Sequence, residues 1–274
     1  DRLRSRGLGD VYKRQKKRIA SVLLLLAVVL AAVAGIKTYV DYQVRAAAER
    51  EYESLAELAR ETEAPTEIST EAETEETEAP YVSPIQFDEL RKINPDIVGW
   101  LKVEGTEIDY PIVQTGNNET YLNTDFEGKK SVAGAIYLDY ESEPDFSGRH
   151  NIIYGHNMKN GSMFKDIVKY KDEEYFKEHQ DITVYTPERE YHLRPMSVLY
   201  TEPTGMRRKT KFATEESFQA YVEEMTKGCD FAQIPEKPLE QLWSFITCSY
   251  EFSDARTIPV SYTHLRAHET GAYL

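Results

Sequence analysis

An uncharged apolar run from Ile19 to Ile36 constrains this 274-residue chain more than any other stretch. A helix rises about 1.5 Å per residue, so a run of this length nearly matches a hydrocarbon core of roughly 30 Å. Basic residues 16–18 precede the run and favour keeping its N-terminal end in the cytoplasm. We therefore predict an uncleaved single-pass signal anchor over residues 16–36, with the rest of the chain outside the cell. The alternative is a cleaved signal peptide with Ala32-Val33-Ala34 as its cleavage site, which also exports the remainder.

The segments around this anchor differ sharply in composition. Residues 37–60 are rich in Ala and Glu, which predicts a helix leaving the membrane. Residues 61–80 are mostly Glu, Thr, Ala and Pro, so they cannot bury enough surface to fold and predict an extended stalk. We expect the folded domain over residues 81–260. The two ends, residues 1–15 and 261–274, fit poorly with their neighbours and resemble translated adapter sequence; we predict that they are foreign, with flexible native termini as the alternative.

Charge and cysteine content exclude several classes of protein. The net charge of -14 argues against a nucleic-acid partner, because phosphate binding needs a basic surface. The two cysteines, Cys229 and Cys248, are too few for a disulfide-stapled scaffold, although one bridge is possible. No group of His, Cys and Asp residues has the spacing of metal ligands, so we expect no metal and no cofactor.

Short strand-like segments separated by turn residues fill the folded region, with a few helical segments between them. This pattern predicts a mainly β fold, a closed or nearly closed β-barrel with α decorations. The predicted strands are residues 97–103, 108–113, 135–140, 151–154, 182–185, 191–200 (interrupted at Pro195), 242–248 and 255–260, and the predicted helices are residues 87–93, 163–179 (one helix or two short ones) and 215–227.

Cys248 ends one of these strands, and Arg256 follows eight positions later. A thiol at a strand end is held rigidly and reached from outside, and a nucleophilic cysteine needs a proton partner, usually histidine. His156 is the best placed, because it follows a buried-looking strand that ends in glycine and so lies at the lip of a cleft. Pattern alone favours other places for the remaining histidines of the folded region: a polar turn for His150, an exposed helix end for His179 and a strand surface for His192.

Three local motifs, taken together, resemble the catalytic constellation of sortases, the surface transpeptidases of Gram-positive bacteria. They are Tyr154-Gly155-His156-Asn157-Met158, Thr247-Cys248 and Asp254-Ala255-Arg256. The wider match is similar to class B of the family and covers about residues 86 to 258, including residues 98–101, 108–114, 121–126 and 160–164.

This resemblance implies a closed barrel of about eight strands and a membrane-anchored cysteine transpeptidase. Cys248 would attack the backbone carbonyl of a C-terminal sorting motif in a secreted protein, and His156 would shuttle the proton. Arg256 would hold the substrate and stabilise the oxyanion. An amine of a peptidoglycan precursor would then resolve the thioacyl-enzyme. The residues expected to support the site or line the substrate groove are Asn157, Thr247, Asp139 and Ile246.

Alternatives stay open at this point. Cys248 is also explained as a buried core residue or as the bridge partner of Cys229, and Arg256 as an ion-pair partner of Asp254 or Glu251. An exported hydrolytic cysteine peptidase and a catalytically silent membrane-tethered binding domain are the competing functions.

Two stretches depart from the family pattern. Ile246 replaces a hydroxyl residue that class B members often carry before the cysteine. The match also stops near Pro259; if the tail from residue 261 is foreign, we expect an incomplete last strand and an unpaired sheet edge.

Overall fold

A computed structural model describes residues 2–60, 81–201, 208–236, 238–248 and 255–264. The chain divides into two compact units, one up to Ala47 and one from Ala48 onward. The first helix, α1, runs Arg2–Arg60. Within the described ranges, its Gln15–Arg60 stretch is the one helix long and apolar enough to cross a membrane. The predicted stalk, residues 61–80, lies outside the described residues.

Eight strands close into a barrel in the order β1-β2-β3-β4-β7-β8-β6-β5, and β5 pairs with β1. The predicted closed β-barrel is therefore confirmed. Most neighbours are antiparallel, but β2 with β3 and β4 with β7 are parallel. The strands are β1 Ile97–Val103, β2 Asp109–Val113, β3 Ile136–Leu138, β4 His150–Tyr154, β5 Ile182–Tyr185, β6 Glu190–Thr201, β7 Leu242–Cys248 and β8 Arg256–Thr263.

Short helices decorate the connections between strands. Helix α4 begins as predicted after Thr214, whose side chain accepts from the Ser217 backbone in a capping box. The predicted helical stretch 163–179 is a 3₁₀ helix, Asp166–Lys171, followed by the short α3. The α-helices after α1 are α2 Phe87–Ile93, α3 Glu173–Glu178 and α4 Glu215–Glu224.

Strands β4 and β7 are buried on both faces. Ile153 and Phe245 belong to the cluster that fills the barrel, whereas Ile152 and Ile246 pack in a second cluster with Phe218 of α4 on the outer face. Burial on both faces explains why neither strand alternates apolar and polar residues and why each carries consecutive apolar residues, Ile152-Ile153 in β4 and Phe245-Ile246 in β7.

The last strand corrects the prediction of a truncated barrel. β8 extends to Thr263, which pairs with Leu193 of β6, and its Tyr262 pairs with Leu242 of β7. The indole Nε1 of Trp243 donates to Thr263 Oγ1 over 3.1 Å. The expected incomplete strand and unpaired edge are therefore wrong, since residues past Pro259 have the β-favouring side chains needed to finish the sheet.

The interruption predicted at Pro195 is a shift in register rather than a break in the strand. β6 runs through it because the β6–β8 register shifts between Pro195 and Ser197. Such an irregularity accommodates a proline that cannot donate to the ladder.

His150 is the first residue of β4, and its side chain contacts β7 and the connection that follows β6. Its Nδ1 is 2.9 Å from the Lys209 carbonyl, and its Nε2 is 2.8 Å from Ser244 Oγ. A carbonyl only accepts, so Nδ1 carries the proton and Nε2 accepts from the serine hydroxyl. Complete burial lowers the pKa of the imidazole from 6.5 to about 4. His150 is thus a neutral structural residue.

This burial predicts a loss of stability in mild acid. The unfolded chain takes up a proton on His150 as the pH falls below 6.5, while the folded chain resists protonation until about pH 4. We expect His150 to cost about 2 kcal/mol of unfolding free energy between pH 7 and pH 5. Fluorescence-detected unfolding of the buried Trp100 and Trp243 measures it. The non-titrating variant His150→Gln should lose this part of the pH dependence; an equal dependence in both proteins would contradict the assignment.

Candidate active site

The register of three neighbouring strands brings the predicted site residues to one end of the barrel. Tyr154 of β4 pairs with Ile246 of β7 in parallel, and the Gly155 backbone NH donates to the Ile246 carbonyl over 3.2 Å. His156 and Cys248 each lie two residues beyond this pair. Cys248 in turn pairs with Arg256 across the antiparallel β7–β8 ladder. The backbone positions of all three residues therefore meet at the ends of adjacent strands, although the Cys248 side chain lies outside the described part of the structure.

His156 is held by the loop that follows β2. Its Nε2 is 2.7 Å from the Leu122 carbonyl, and its own carbonyl accepts from the Phe164 NH over 2.9 Å. Because a carbonyl cannot donate, this contact places the proton on Nε2 and leaves Nδ1 as the basic nitrogen. The imidazole is thus oriented by one contact to the ring and another to the backbone.

Two glycines allow this close packing. Gly155, directly before His156, leaves no room for a side chain, because a Cβ there would lie 2.6 Å from Phe164 Cγ. Gly134 has φ +58°, and a Cβ there would lie 2.5 Å from the Tyr121 carbonyl oxygen and 3.2 Å from His156 Cδ2. Only glycine fits both the conformation and the space at residue 134.

Arg256 begins β8 with a partly buried side chain, and its Nη1 donates to the Ala255 carbonyl over 3.1 Å. The acidic partners considered from the sequence, Glu251 and Asp254, lie outside the described residues. The guanidinium is a permanent cation that presents five donors in a fixed fork.

The residues around the cysteine differ in their surroundings. Ile246 is 7% exposed and packs in the outer apolar cluster beside Tyr154. Thr247 is 2% exposed and pairs with Thr257 across the β7–β8 ladder. Neither threonine hydroxyl has a partner among the described residues. Asn157 is also buried and forms a backbone bridge with Met163. Thr247 and Asn157 are thus buried side chains near the ends of β7 and β4.

Asp139 is a fully buried carboxylate at the centre of a hydrogen-bond network. Its Oδ2 accepts from Tyr154 OH at 2.8 Å, Asn118 Nδ2 at 3.0 Å and Arg208 Nη2 at 2.8 Å. Burial, and then the charge of Asp139, raises the pKa of Tyr154 well above its usual range. The Asp139 carboxylate thus links β3 and β4 to the connection after β6. Its partner in β4, Tyr154, is two residues before His156.

Sequence reasoning missed Arg208 and Asn118 as members of this network. A single arginine in a basic, polar connection has no local pattern that distinguishes it from a solvated cation. Tyr154 stood within the recognised motif, but its contact with Asp139 has no sequence signal, because the partners come from separate strands.

The other histidines and the second cysteine lie elsewhere. His179 is not an exposed helix end, since its ring stacks on Tyr175 with centroids 3.7 Å apart. His192 is 2.6 Å from Glu190 within β6. The Sγ of Cys229 donates to the Met225 carbonyl over 3.9 Å, and the side chain of Cys248, its alternative bridge partner, lies outside the described residues.

Comparison with known proteins identifies the family. The protein-family model named Sortase domain matches residues 101–263 of this chain. Sortase B of Listeria monocytogenes is 36% identical over 167 residues, which cover 61% of this chain and 68% of that protein. Sortase B of Staphylococcus aureus is 28% identical over 243 residues, or 87% of this chain and 93% of that protein. The crystal structure of Clostridium perfringens sortase B has a TM-score of 0.62 at 32% identity, covering 66% of this chain and 100% of that one.

The closed eight-stranded barrel matches that of a solved sortase B. The chain belongs to the sortase family, and within it to class B. It is thus a sortase-type transpeptidase, as the motifs indicated.

The Asp139 network predicts an unequal response to two arginine substitutions. Arg208→Gln leaves a buried carboxylate without its cation, so we expect a loss of about 2 kcal/mol in unfolding free energy. Arg149→Gln is the matched control, because its ion pair with Glu215 is open to solvent on both sides and is expected to contribute less than about 1 kcal/mol. Thermal unfolding of both variants measures the difference, and equal losses would show that the Asp139 pair has no special weight.

Proposed function

We propose that this class B sortase is anchored in the membrane by residues 19–36 and transfers secreted proteins to an amine of the cell wall. The observation that carries the proposal is the convergence of His156, Cys248 and Arg256 on the ends of β4, β7 and β8. Family membership supports it, since the solved relatives include a Staphylococcus aureus sortase B–substrate complex, with a TM-score of 0.62 at 27% identity.

Cys248 is the nucleophile of the proposed reaction. His156 Nδ1 takes the proton of the Cys248 thiol, and the resulting thiolate attacks the scissile carbonyl of a C-terminal sorting motif to form a tetrahedral oxyanion. His156 protonates the leaving amine, and the C–N bond breaks to give a thioacyl-enzyme. The same imidazole then takes a proton from the incoming amine, whose nitrogen replaces the sulfur and releases the thiolate.

The contact between His156 and Leu122 suits this proton shuttle. With Nε2–H donated to the carbonyl, Nδ1 is the nitrogen that gives and takes the proton. A proton on Nδ1 makes the ring a cation, and the same carbonyl then stabilises the charged form through the Nε2 contact.

Arg256 is the electrostatic partner of the proposed reaction. It lies directly across the ladder from Cys248, so its cation is close to the carbonyl that the thiolate attacks. A guanidinium stays protonated throughout and directs its donors in a fixed fork toward the developing oxyanion.

Ile246 and Asp139 are proposed to shape the substrate groove. Ile246 and Tyr154 form an apolar floor that leads to Cys248 along the outer face of β4 and β7. Asp139 fixes the Tyr154 hydroxyl and, through Arg208, the connection beside that floor. Thr247 and Asn157 support the same region from their buried positions.

The proposed location follows from the first helix and the composition of the next segment. The apolar helix supplies a single span with its N-terminus in the cytoplasm and the catalytic domain outside the cell. The composition of residues 61–80 predicts a solvated acidic stretch. The proposed partners are secreted proteins with a C-terminal sorting motif and a peptidoglycan precursor that offers the amine.

Cleavage of sorting-motif peptides tests the nucleophile. We expect Cys248→Ala to reduce cleavage of a pooled set of such peptides to background, because no thioacyl-enzyme forms. Cys229→Ala is the matched control, since this second thiol lies at the end of α4 and should leave turnover unchanged. Liquid chromatography of the peptide products gives the rates, and undiminished cleavage by Cys248→Ala would overturn the proposal.

Adding an amine separates transfer from hydrolysis. We expect triglycine or a diaminopimelate-containing peptide to yield a new amide product at the expense of the free acid, because the amine competes with water for the thioacyl-enzyme. Mass spectrometry distinguishes the products. Free acid alone, at every amine concentration, would favour the hydrolytic peptidase, and failure of iodoacetamide to label Cys248 selectively would favour a silent binding domain.

A further inference from the structure

The last three turns of α1 pack on the barrel as part of the same compact unit. Leu55 and Ala59 are buried against it at 3% and 0% exposure. The Ala59 carbonyl accepts from the Gln86 NH over 3.1 Å, and Arg60 pairs with Asp109 of β2. This segment, residues 48–60, is a built part of the domain rather than a loose continuation of the apolar run.

One side chain of this segment reaches the loops around His156. Tyr52 is 5% exposed, and its hydroxyl donates to the Gly134 carbonyl over 2.8 Å. Gly134 lies against the His156 ring and against the Leu122 carbonyl that orients it. A single peptide unit thus separates the Tyr52 hydroxyl from the imidazole.

The ring of Tyr52 begins a second line of contacts, which ends at Asn157, the residue after His156. The ring packs edge-on against Tyr110, with centroids 5.3 Å apart and planes at 85°. The Tyr110 hydroxyl accepts from the Met163 NH over 3.1 Å, and Met163 forms a backbone bridge with Asn157. The residue directly after His156 is therefore supported by a second route that starts from the same tyrosine.

We propose that Tyr52 is a positioning residue for His156, so that the helix following the apolar run takes part in catalysis. A phenylalanine would bury the same ring, so the substitution removes only the hydroxyl and its hydrogen bonds, to the Gly134 carbonyl and to the Phe126 backbone. Without the first of these bonds, the Gly134 peptide gains freedom to move against the imidazole and Leu122. This proposal rests on the proposed function for the role of His156 in proton transfer.

The test compares Tyr52→Phe with Tyr170→Phe in the full chain, kept in detergent because of its apolar helix. Tyr170 is the matched control: it is equally buried, and its hydroxyl donates to the His179 carbonyl over 2.8 Å, away from His156. Histidine-selective ¹⁵N NMR reports the tautomer of His156, whose signals are assigned with His156→Gln. Peptide transfer to triglycine gives kcat and KM.

We expect Tyr52→Phe to lower the Nε2–H fraction of His156 and to reduce kcat about fivefold with KM within about twofold. Tyr170→Phe should match the unsubstituted chain in both readouts while losing a similar amount of thermal stability. An unchanged His156 tautomer in Tyr52→Phe, or an equal change in both variants, would overturn the proposal. If Tyr52→Phe melts near the assay temperature, the spectra are recorded well below it, and an unchanged tautomer there is equally decisive.

The two readouts separate this inference from the function on which it rests. NMR of His156 needs no substrate. A tautomer change without any transfer by the unsubstituted chain would reject the transpeptidase proposal and keep the positioning role. Normal transfer by the unsubstituted chain with an unchanged His156 tautomer in Tyr52→Phe would support the transpeptidase proposal and reject the positioning role of Tyr52.

Discussion

The parallel ladder between β4 and β7 is the interaction on which the site depends. These strands are distant in sequence, and only their pairing brings His156 next to Cys248. The ladder is buried on both faces, by the barrel interior and by α4, so its register is fixed by the apolar side chains on each side. If β7 shifted by one residue, Phe245 would turn out of the core and Cys248 would move away from His156.

The outer layer over this ladder is fixed by polar anchors. Asp139 holds Arg208 by an ion pair, and His150 holds the next residue by its carbonyl. Arg208 and Lys209 are adjacent residues of the connection after β6. Arg208 is bound to Asp139, which follows β3, and Lys209 is bound to His150, which begins β4. Buried polar networks of this kind are costly unless every member is satisfied, and here the carboxylate and the imidazole both are.

Much of the fold was readable from the sequence because its strands carry strong patterns. The bounds of β1, β5 and β7 agree with prediction, since turn residues flank each apolar run. The three site positions were found from local motifs, and the strand register brings their backbones together. The Asp139–Arg208 pair and the burial of His150 could not be predicted, because both depend on which connection covers the outer face. β8 ends later than predicted because Tyr262 and Thr263 have side chains that favour strands, although the tail to which they belong resembles adapter sequence.

Because β8 pairs with β7 in an antiparallel ladder, the position of Arg256 does not depend on the length of the connection before it. Arg256 lies opposite Cys248 because the ladder from Thr247–Thr257 to Leu242–Tyr262 fixes their pairing. Residues gained or lost between the two strands would change the shape of that connection without moving Arg256 away from Cys248. The barrel can therefore keep its chemistry constant while the neighbouring loop changes in length, which leaves that loop available for adaptation to different substrates.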